Sequence, residues 1–329
     1  MFSLIYVEEE IWDHPETQAI KRRFSKLPVI KCERFGEVFN RKNQSFRLQK
    51  ENPALILAKK QGNLVLKVPE GHGIGGTNNY YFSHMLNCVF DCRYCFLQGM
   101  YSSAHYVLFI NAEDFKEAII KTAKEVETPY FFSGYDCDSL ALENITGFVK
   151  GILPVFRKIE NAFLELRTKS VQIKFLLREK PMPNCITAFT LSPEPIAKAL
   201  EHKAPSFKER LKALKYLQEA GWPIGLRFDP LIFMTRFEEC YGPFFEEVFQ
   251  TLDEKSIHSV TLGTFRSPSV LFKRMEKMFP EEKLFAQDLE EKNGLVTYRE
   301  APLKEIYEFS QSKILKYIPE SKLFTSMTF

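Results

Sequence analysis

The stretch Cys88-Val-Phe-Asp-Cys92-Arg-Tyr-Cys95-Phe-Leu-Gln98 constrains this chain more than any other. Its C-x-x-x-C-x-x-C spacing lets one loop turn three thiols toward a single centre. Cysteine sulfur is the usual ligand of iron–sulfur clusters, so three thiolates can hold three irons of a 4Fe-4S cubane. The fourth iron then has no protein ligand, and an open position is what a cluster needs to bind and reductively cleave a small molecule. The competing reading is a zinc site with His84 as fourth ligand. Structural zinc sites carry two close ligand pairs, and no second C-x-x-C occurs here. The cysteines number seven, an odd count, and no secretory leader precedes them, so a disulfide framework does not suit the chain.

Composition adds bounds. A length of 329 residues with 45% apolar content fits one large α/β domain or two ordinary ones. No run of about 18 apolar residues marks a membrane span. The opening Met-Phe-Ser-Leu-Ile-Tyr-Val-Glu-Glu-Glu has acids where a signal peptide has bases, and the expectation is a cytoplasmic protein with reduced thiols. Residues 18–60 carry twelve bases, Lys50 among them, against three acids, interleaved with Phe24, Phe35, Phe39 and Phe46. Such a block suits a phosphate-facing surface as well as it suits a solvated face.

Along the chain, residues 1–78 read as a basic N-terminal extension packed on the core, closed by the Pro- and Gly-rich stretch from Pro69. From residue 79 to 284, apolar strands alternate with amphipathic helices. Strands are expected at Tyr80–Met85, Pro129–Ser133, Asn161–Arg167, Cys185–Leu191, Pro223–Phe228 with Leu231–Phe233, and Ser259–Thr264. Helices are expected at Ala112–Val126 after an Asn111 cap, Leu140–Phe156, Val171–Arg178, Phe207–Ala220 after a Ser206 cap, Pro243–Leu252 and Pro268–Met278. Six strand–helix units in series argue for parallel strands with right-handed crossovers. The fold expected is therefore α/β, a partial (β/α)6 TIM-like barrel with its chemistry at the carboxyl ends of the strands. A doubly wound sheet is the alternative, but no G-x-G-x-x-G follows a strand and opens a helix. Residues 285–329 read as a C-terminal extension of strand and helix character.

The cysteine spacing, with Tyr94 before the third cysteine, resembles the radical S-adenosylmethionine enzymes, in which the open iron is chelated by that cofactor. More narrowly, the chain is similar to the spore photoproduct lyase family, radical enzymes that repair a thymine dimer of ultraviolet-irradiated spore DNA. The similarity runs over most of the chain. It rests on Leu4-Ile-Tyr-Val-Glu, the Leu97-Gln98 continuation of the cysteine loop, the Thr168-Lys169 step, Ala220-Gly-Trp-Pro-Ile-Gly225 and Val260-Thr-Leu-Gly-Thr-Phe-Arg266.

The resemblance implies a 4Fe-4S cluster on Cys88, Cys92 and Cys95 and S-adenosyl-L-methionine as the second cofactor. It implies that Lys169 faces the cofactor carboxylate, that Thr190 and Ser139 bind the cofactor, and that backbone at Gly134, Tyr135 and Asp136 lies against its amino group. It also implies a hydrogen donor after the second strand. Cys137 is one candidate, whereas alignment without a gap on Leu140–Thr146 puts Tyr135 there. Tyr94 matches a family tyrosine that helps return the radical, but Phe96 stands after the third cysteine and has no hydroxyl hydrogen to relay. The implied partners are DNA, gripped by the basic block, Arg266 and Arg299, and a reductant such as a flavodoxin or ferredoxin. Two alternatives stand beside this reading: a radical enzyme of the same fold acting on RNA, a nucleoside or a peptide, and a zinc-stabilised nucleic-acid-binding protein.

Overall fold

The computed structural model describes residues 2–69 and 73–325. Residues 70–72, part of the expected loop after Pro69, and the last residues of the expected C-terminal extension lie outside the described residues.

Six parallel strands run in sequence order across one curled sheet: Asn78–Phe82 (β1), Pro129–Ser133 (β2), Phe163–Thr168 (β3), Cys185–Thr190 (β4), Ile224–Leu231 (β5) and Ile257–Thr264 (β6). This is the expected half-barrel. Its edges are covered by the antiparallel strand Leu66–Lys67 on β1 and by the parallel strand Leu323–Thr325 on β6. Both sheet faces are buried, which explains the near-continuous apolar runs of β4, every residue of which is buried. Ile74 and the ring of Phe324 meet Ile186, Ala188 and Phe132 in one apolar cluster with β2 and β4.

A second sheet lies beside the barrel, with strands in the order Val29–Cys32, Ile5–Glu8, Leu55–Ala58, Tyr106–Phe109 and Met85–Leu86. It therefore combines strands from both sides of residue 78. The chain leaves β1 at Phe82, crosses to this second sheet at Met85, makes the cysteine loop and returns through Tyr106–Phe109 before the helix Ala112–Glu125 leads into β2. The cysteine loop thus departs from the second sheet, one strand later than expected, because Tyr80–Met85 divides between two sheets.

Three expected helices differ in detail, and of these Val171–Arg178 shrinks to the single 3-10 turn Leu176–Arg178. The segment from Leu140 breaks at Gly147, whose φ is +57°, into Glu143–Thr146 and Phe148–Lys158. The Glu143 carboxylate accepts from the Val149 and Lys150 amides at 3.0 and 2.9 Å and so caps the second piece. The helix expected from Pro243 starts at Phe237 instead, with Pro243 inside it. Ser206 forms the expected cap as a full capping box with Glu209. Asn111 precedes its helix without a side-chain cap bond; its amide is spent across the turn at Lys60, accepting from the Lys60 amide and donating to its carbonyl at 2.9 and 3.0 Å.

Candidate active site

The carboxyl ends of β2 to β6 surround a cavity of about 650 Å3, and the cysteine loop forms one of its walls. Cys88, Cys92 and Cys95 all line it, and all seven cysteines are free thiols. Burial pushes the Cys88, Cys92 and Cys95 thiols up, Cys92 to about 12; Asp138 adds to the push at Cys88, whereas Lys169 opposes it at Cys92 and Cys95. Thiolates here need positive charge to be stable, and iron supplies it, since metal binding displaces the thiol protons. The donor set therefore fits an iron–sulfur cluster. Among the described residues no group of three or more His, Cys, Asp or Glu side chains gathers round one point; the three thiols are arrayed along the cavity wall.

His84, the zinc alternative's fourth ligand, is turned elsewhere. Its ring stacks on Phe148 with centroids 4.2 Å apart, and burial lowers its pKa to about 3. It does not line the cavity.

The cysteine loop is braced from below by a buried network that sequence reasoning missed. Asp91 and Cys92 pair antiparallel with His202 and Glu201. The Tyr94 hydroxyl donates to the Glu201 carboxylate, Ser192 donates to it at 3.0 Å, and the Arg210 guanidinium completes its shell while also donating to the Thr190 carbonyl at 2.8 Å. Arg210 beside Glu201 holds that carboxyl below the usual range despite its burial, which works the other way. Tyr94 is consequently an anchor whose hydroxyl is committed to Glu201.

Lys169 is half-buried at the end of β3, its ammonium 5.4 Å from the centre of the Tyr94 ring. Burial alone would lower its pKa, but negative charge on Cys92, Glu201 and Cys95 holds it above the ordinary lysine value. Its backbone amide donates at 2.7 Å to Asp138, whose other oxygen accepts from Thr168 Oγ1 at 2.6 Å and from the Leu140 and Ala141 amides at 2.9 Å each. Asp138 thus ties the loop after β2 to the end of β3. A signal for it was present, since an Asp two or three residues before a helical turn is a common local cap.

The loop after β2 makes a close approach possible only with glycine. Gly134 has φ of +87°, and a Cβ there would lie 2.9 Å from the Arg167 carbonyl oxygen and 2.6 Å from Ser139 Oγ. Gly134, Tyr135 and Cys137 line the cavity, as do Thr190 and Arg266. Ser139 sits behind Gly134 and is not in the lining, and Asp136 points into the protein, accepting from Ser83 and, at 3.1 Å, from Tyr101. Tyr135 is 41% exposed. Cys137 is buried and packs in the core of the second sheet with Met85 and Leu142, its thiol pushed well up by burial and then by Cys88.

Arg266 donates to Asp229 at 3.1 and 3.4 Å beside the cavity. Arg299 is elsewhere, paired with Asp288 at 2.8 Å on the surface. The basic block is divided. Arg34 and Lys59 share Glu10, Arg47 pairs with Glu281, and Lys50 is buried against the cysteine loop.

A curled six-stranded half-barrel with a three-cysteine loop over its strand ends is the architecture of the radical S-adenosylmethionine enzymes. The chain belongs to the spore photoproduct lyase family, whose model, spore photoproduct lyase, matches residues 1–327. A spore photoproduct lyase of Bacillus subtilis (strain 168) is 23% identical over 330 residues, spanning 98% of this chain and 94% of the relative. Another, from Geobacillus sp. (strain Y412MC61), is 21% identical over 335 residues and 97% of each chain. A solved spore photoproduct lyase mutant with bound AdoMet and dinucleoside spore photoproduct superposes with a TM-score of 0.85 at 18% identity, covering 100% of this chain and 99% of the other. A spore photoproduct lyase complexed with dinucleoside spore photoproduct gives 0.82 at 17%, covering 99% and 98%.

Proposed function

We propose that this chain is a radical S-adenosylmethionine lyase that acts on a cross-linked thymine pair in DNA. The observation that carries the reading is the placement of three free thiols and Lys169 around one cavity at the carboxyl ends of a half-barrel. Cys88, Cys92 and Cys95 would hold the cluster, and Lys169 would face the cofactor carboxylate as a cation facing an anion. When bound, the cluster supplies the electron that cleaves S-adenosylmethionine to a 5′-deoxyadenosyl radical.

The chain's own groups position and protect. Gly134 lets backbone approach the ligand closely, and Asp138 fixes that loop to β3 so that Lys169 and Gly134 keep their spacing. Thr190 contributes its hydroxyl from the end of β4. Tyr135 is the hydrogen donor we assign: both it and Cys137 line the cavity, but the Tyr135 ring is 41% exposed, whereas the Cys137 thiol is buried against Met85 and Leu142 of the second sheet. Arg266 at the cavity grips the phosphate backbone, and a lesion within duplex has to be turned out of the stack to enter. Ser139 and Arg299 take no direct part, since their side chains sit behind Gly134 or are paired on the surface, and Asp136, its carboxylate held by Ser83 and Tyr101, offers only its backbone to the cofactor. Residues 1–78 serve as scaffold for the cysteine loop, 79–284 as the half-barrel and 285–329 as its cover. A one-electron reductant, flavodoxin- or ferredoxin-like, supplies the electron, and the free thiols suit a reducing compartment such as the cytoplasm.

A second reading keeps the radical chemistry and changes the substrate to RNA, a nucleoside or a peptide. Phe96 favours it, because its ring lines the cavity where the relay tyrosine is missing. Anaerobic reconstitution with S-adenosylmethionine and reductant tests what both readings share. Brown, iron-bearing protein that forms 5′-deoxyadenosine is expected; colourless, zinc-bearing protein that leaves the cofactor intact would overturn them.

A further inference from the structure

Lys50 comes from the basic N-terminal block, yet its side chain faces inward. It lies on the short helix Phe46–Glu51, is buried, and lines the cavity. Its ammonium donates to the Phe90 carbonyl at 3.1 Å and to the Cys88 carbonyl at 3.4 Å, with the Asp91 carboxylate at 3.7 Å. These three residues are the first turn of the cysteine loop. Asp91 is shared with Arg93, at 2.8 Å, and Arg93 is drawn outward to Glu282 at 2.8 Å and over the Phe279 ring. Lys50 therefore stands on the inner, cavity side of that ionic chain.

The helix that carries Lys50 is itself clasped to the loop's far flank. Gln49 Oε1 accepts from the Ala104 amide at 2.9 Å and from Ser103 Oγ at 3.1 Å, and Lys203 donates to the Lys50 carbonyl at 3.1 Å. The Lys50 ammonium is thus engaged by backbone carbonyls of the cysteine loop rather than displayed on the outer surface. A buried ammonium bonded to the Cys88 carbonyl, in a cavity that all three cysteines line, acts through charge and through loop geometry together.

We propose that Lys50 is a positioning residue for the cluster, one that fixes the Cys88–Asp91 turn and raises the cluster's reduction potential with its charge. This rests on the cluster reading above. Reduction adds negative charge to the cluster, so a nearby cation stabilises the reduced form and its removal makes reduction harder.

The test compares reconstituted wild-type protein with Lys50→Met, Lys50→Gln and Lys50→Arg, measuring iron content and, by spectroelectrochemical titration, the cluster potential. Lys50→Met and Lys50→Gln should load iron and shift the reduced-to-oxidised ratio at fixed ambient potential about tenfold toward oxidised, equivalent to about 59 mV for one electron. Lys50→Arg should keep the wild-type potential. Neutral variants that load fully at the wild-type potential overturn the proposal. Should neither neutral variant hold iron, retention by Lys50→Arg supports a charge-dependent grip and loss in Lys50→Arg overturns it. Wild-type protein that takes up no iron contradicts the cluster reading instead. Hydrogen exchange across residues 88–95 of iron-free protein then tests the grip alone, with faster exchange expected in Lys50→Met and unchanged exchange overturning it.

Discussion

The ring of Tyr135 lies on that of Tyr81, centroids 4.4 Å apart and planes inclined by 30°, and the Phe96 ring is tilted toward it at 5.9 Å. The stack holds the Tyr135 ring at the cavity, and burial raises the pKa of both phenols, so their hydroxyls stay protonated at neutral pH. A protonated, held phenol is what a hydrogen donor requires. Tyr135→Phe should lower restored thymidine dinucleotide by more than about tenfold while 5′-deoxyadenosine still forms. Cys137→Ala should retain most repair. Product analysis by mass spectrometry distinguishes them, and the opposite ranking assigns the donor to Cys137.

Lys169 presents a single cation to the cavity. Lys169→Ala should weaken S-adenosylmethionine binding by roughly tenfold or more, the weight of one charge-assisted hydrogen bond of about 1.5–3 kcal/mol. Iron content should remain that of wild type. Calorimetric titration with the cofactor reads the affinity directly.

The Glu201–Arg210 pair lies wholly inside the protein under the cysteine loop. Removing one partner leaves an uncompensated charge, so Glu201→Ala should cost about 3–5 kcal/mol of stability. Tyr94→Phe removes a single hydrogen bond to the same carboxylate and should cost about 1 kcal/mol. Urea denaturation measures both.

Much of this site was legible in the sequence, and the reason differs by residue. The cysteines are legible from their spacing alone, and Lys169 and Thr190 because the family resemblance points to them and each stands at the end of a half-barrel strand whose apolar run is plain. Glu201 and Arg210 were not. Their value lies in buried pairing across distant segments, and a charged residue in isolation reads as surface. Lys50 was misplaced for the same reason, since a count of bases carries no information on which of them turn inward. The strand Tyr106–Phe109, four apolar residues after the cysteine loop, went unassigned because so short a run fits several structures.

Burial raises the pKa of Glu143 to about 7, although the Lys150 and Val149 amides it accepts from pull the other way. A raised carboxyl pKa means that the folded state binds the extra proton between the unfolded value of 4.5 and about 7. Its contribution is thus fully present below pH 4.5 and is lost as pH rises through about 7. Glu143→Gln should flatten that part of the stability profile, which amounts to at most about 3 kcal/mol. Denaturation midpoints at pH 5 and pH 8 test it.

Arg266 and Arg299 make opposite predictions for DNA. Arg266→Ala should weaken binding of a lesion-bearing oligonucleotide and reduce the slope of log affinity against log salt by about one. Arg299→Ala, at a surface pair remote from the lining, should change neither.

The most direct measurement of the central claim is repair itself. Reconstituted, reduced protein is incubated without oxygen with S-adenosylmethionine and the synthetic thymine-dimer dinucleotide, and 5′-deoxyadenosine and thymidine dinucleotide are followed by mass spectrometry. The account predicts that both appear. Deoxyadenosine formed from iron-bearing protein with the dimer left unrepaired would contradict it, keeping the radical chemistry and rejecting the substrate.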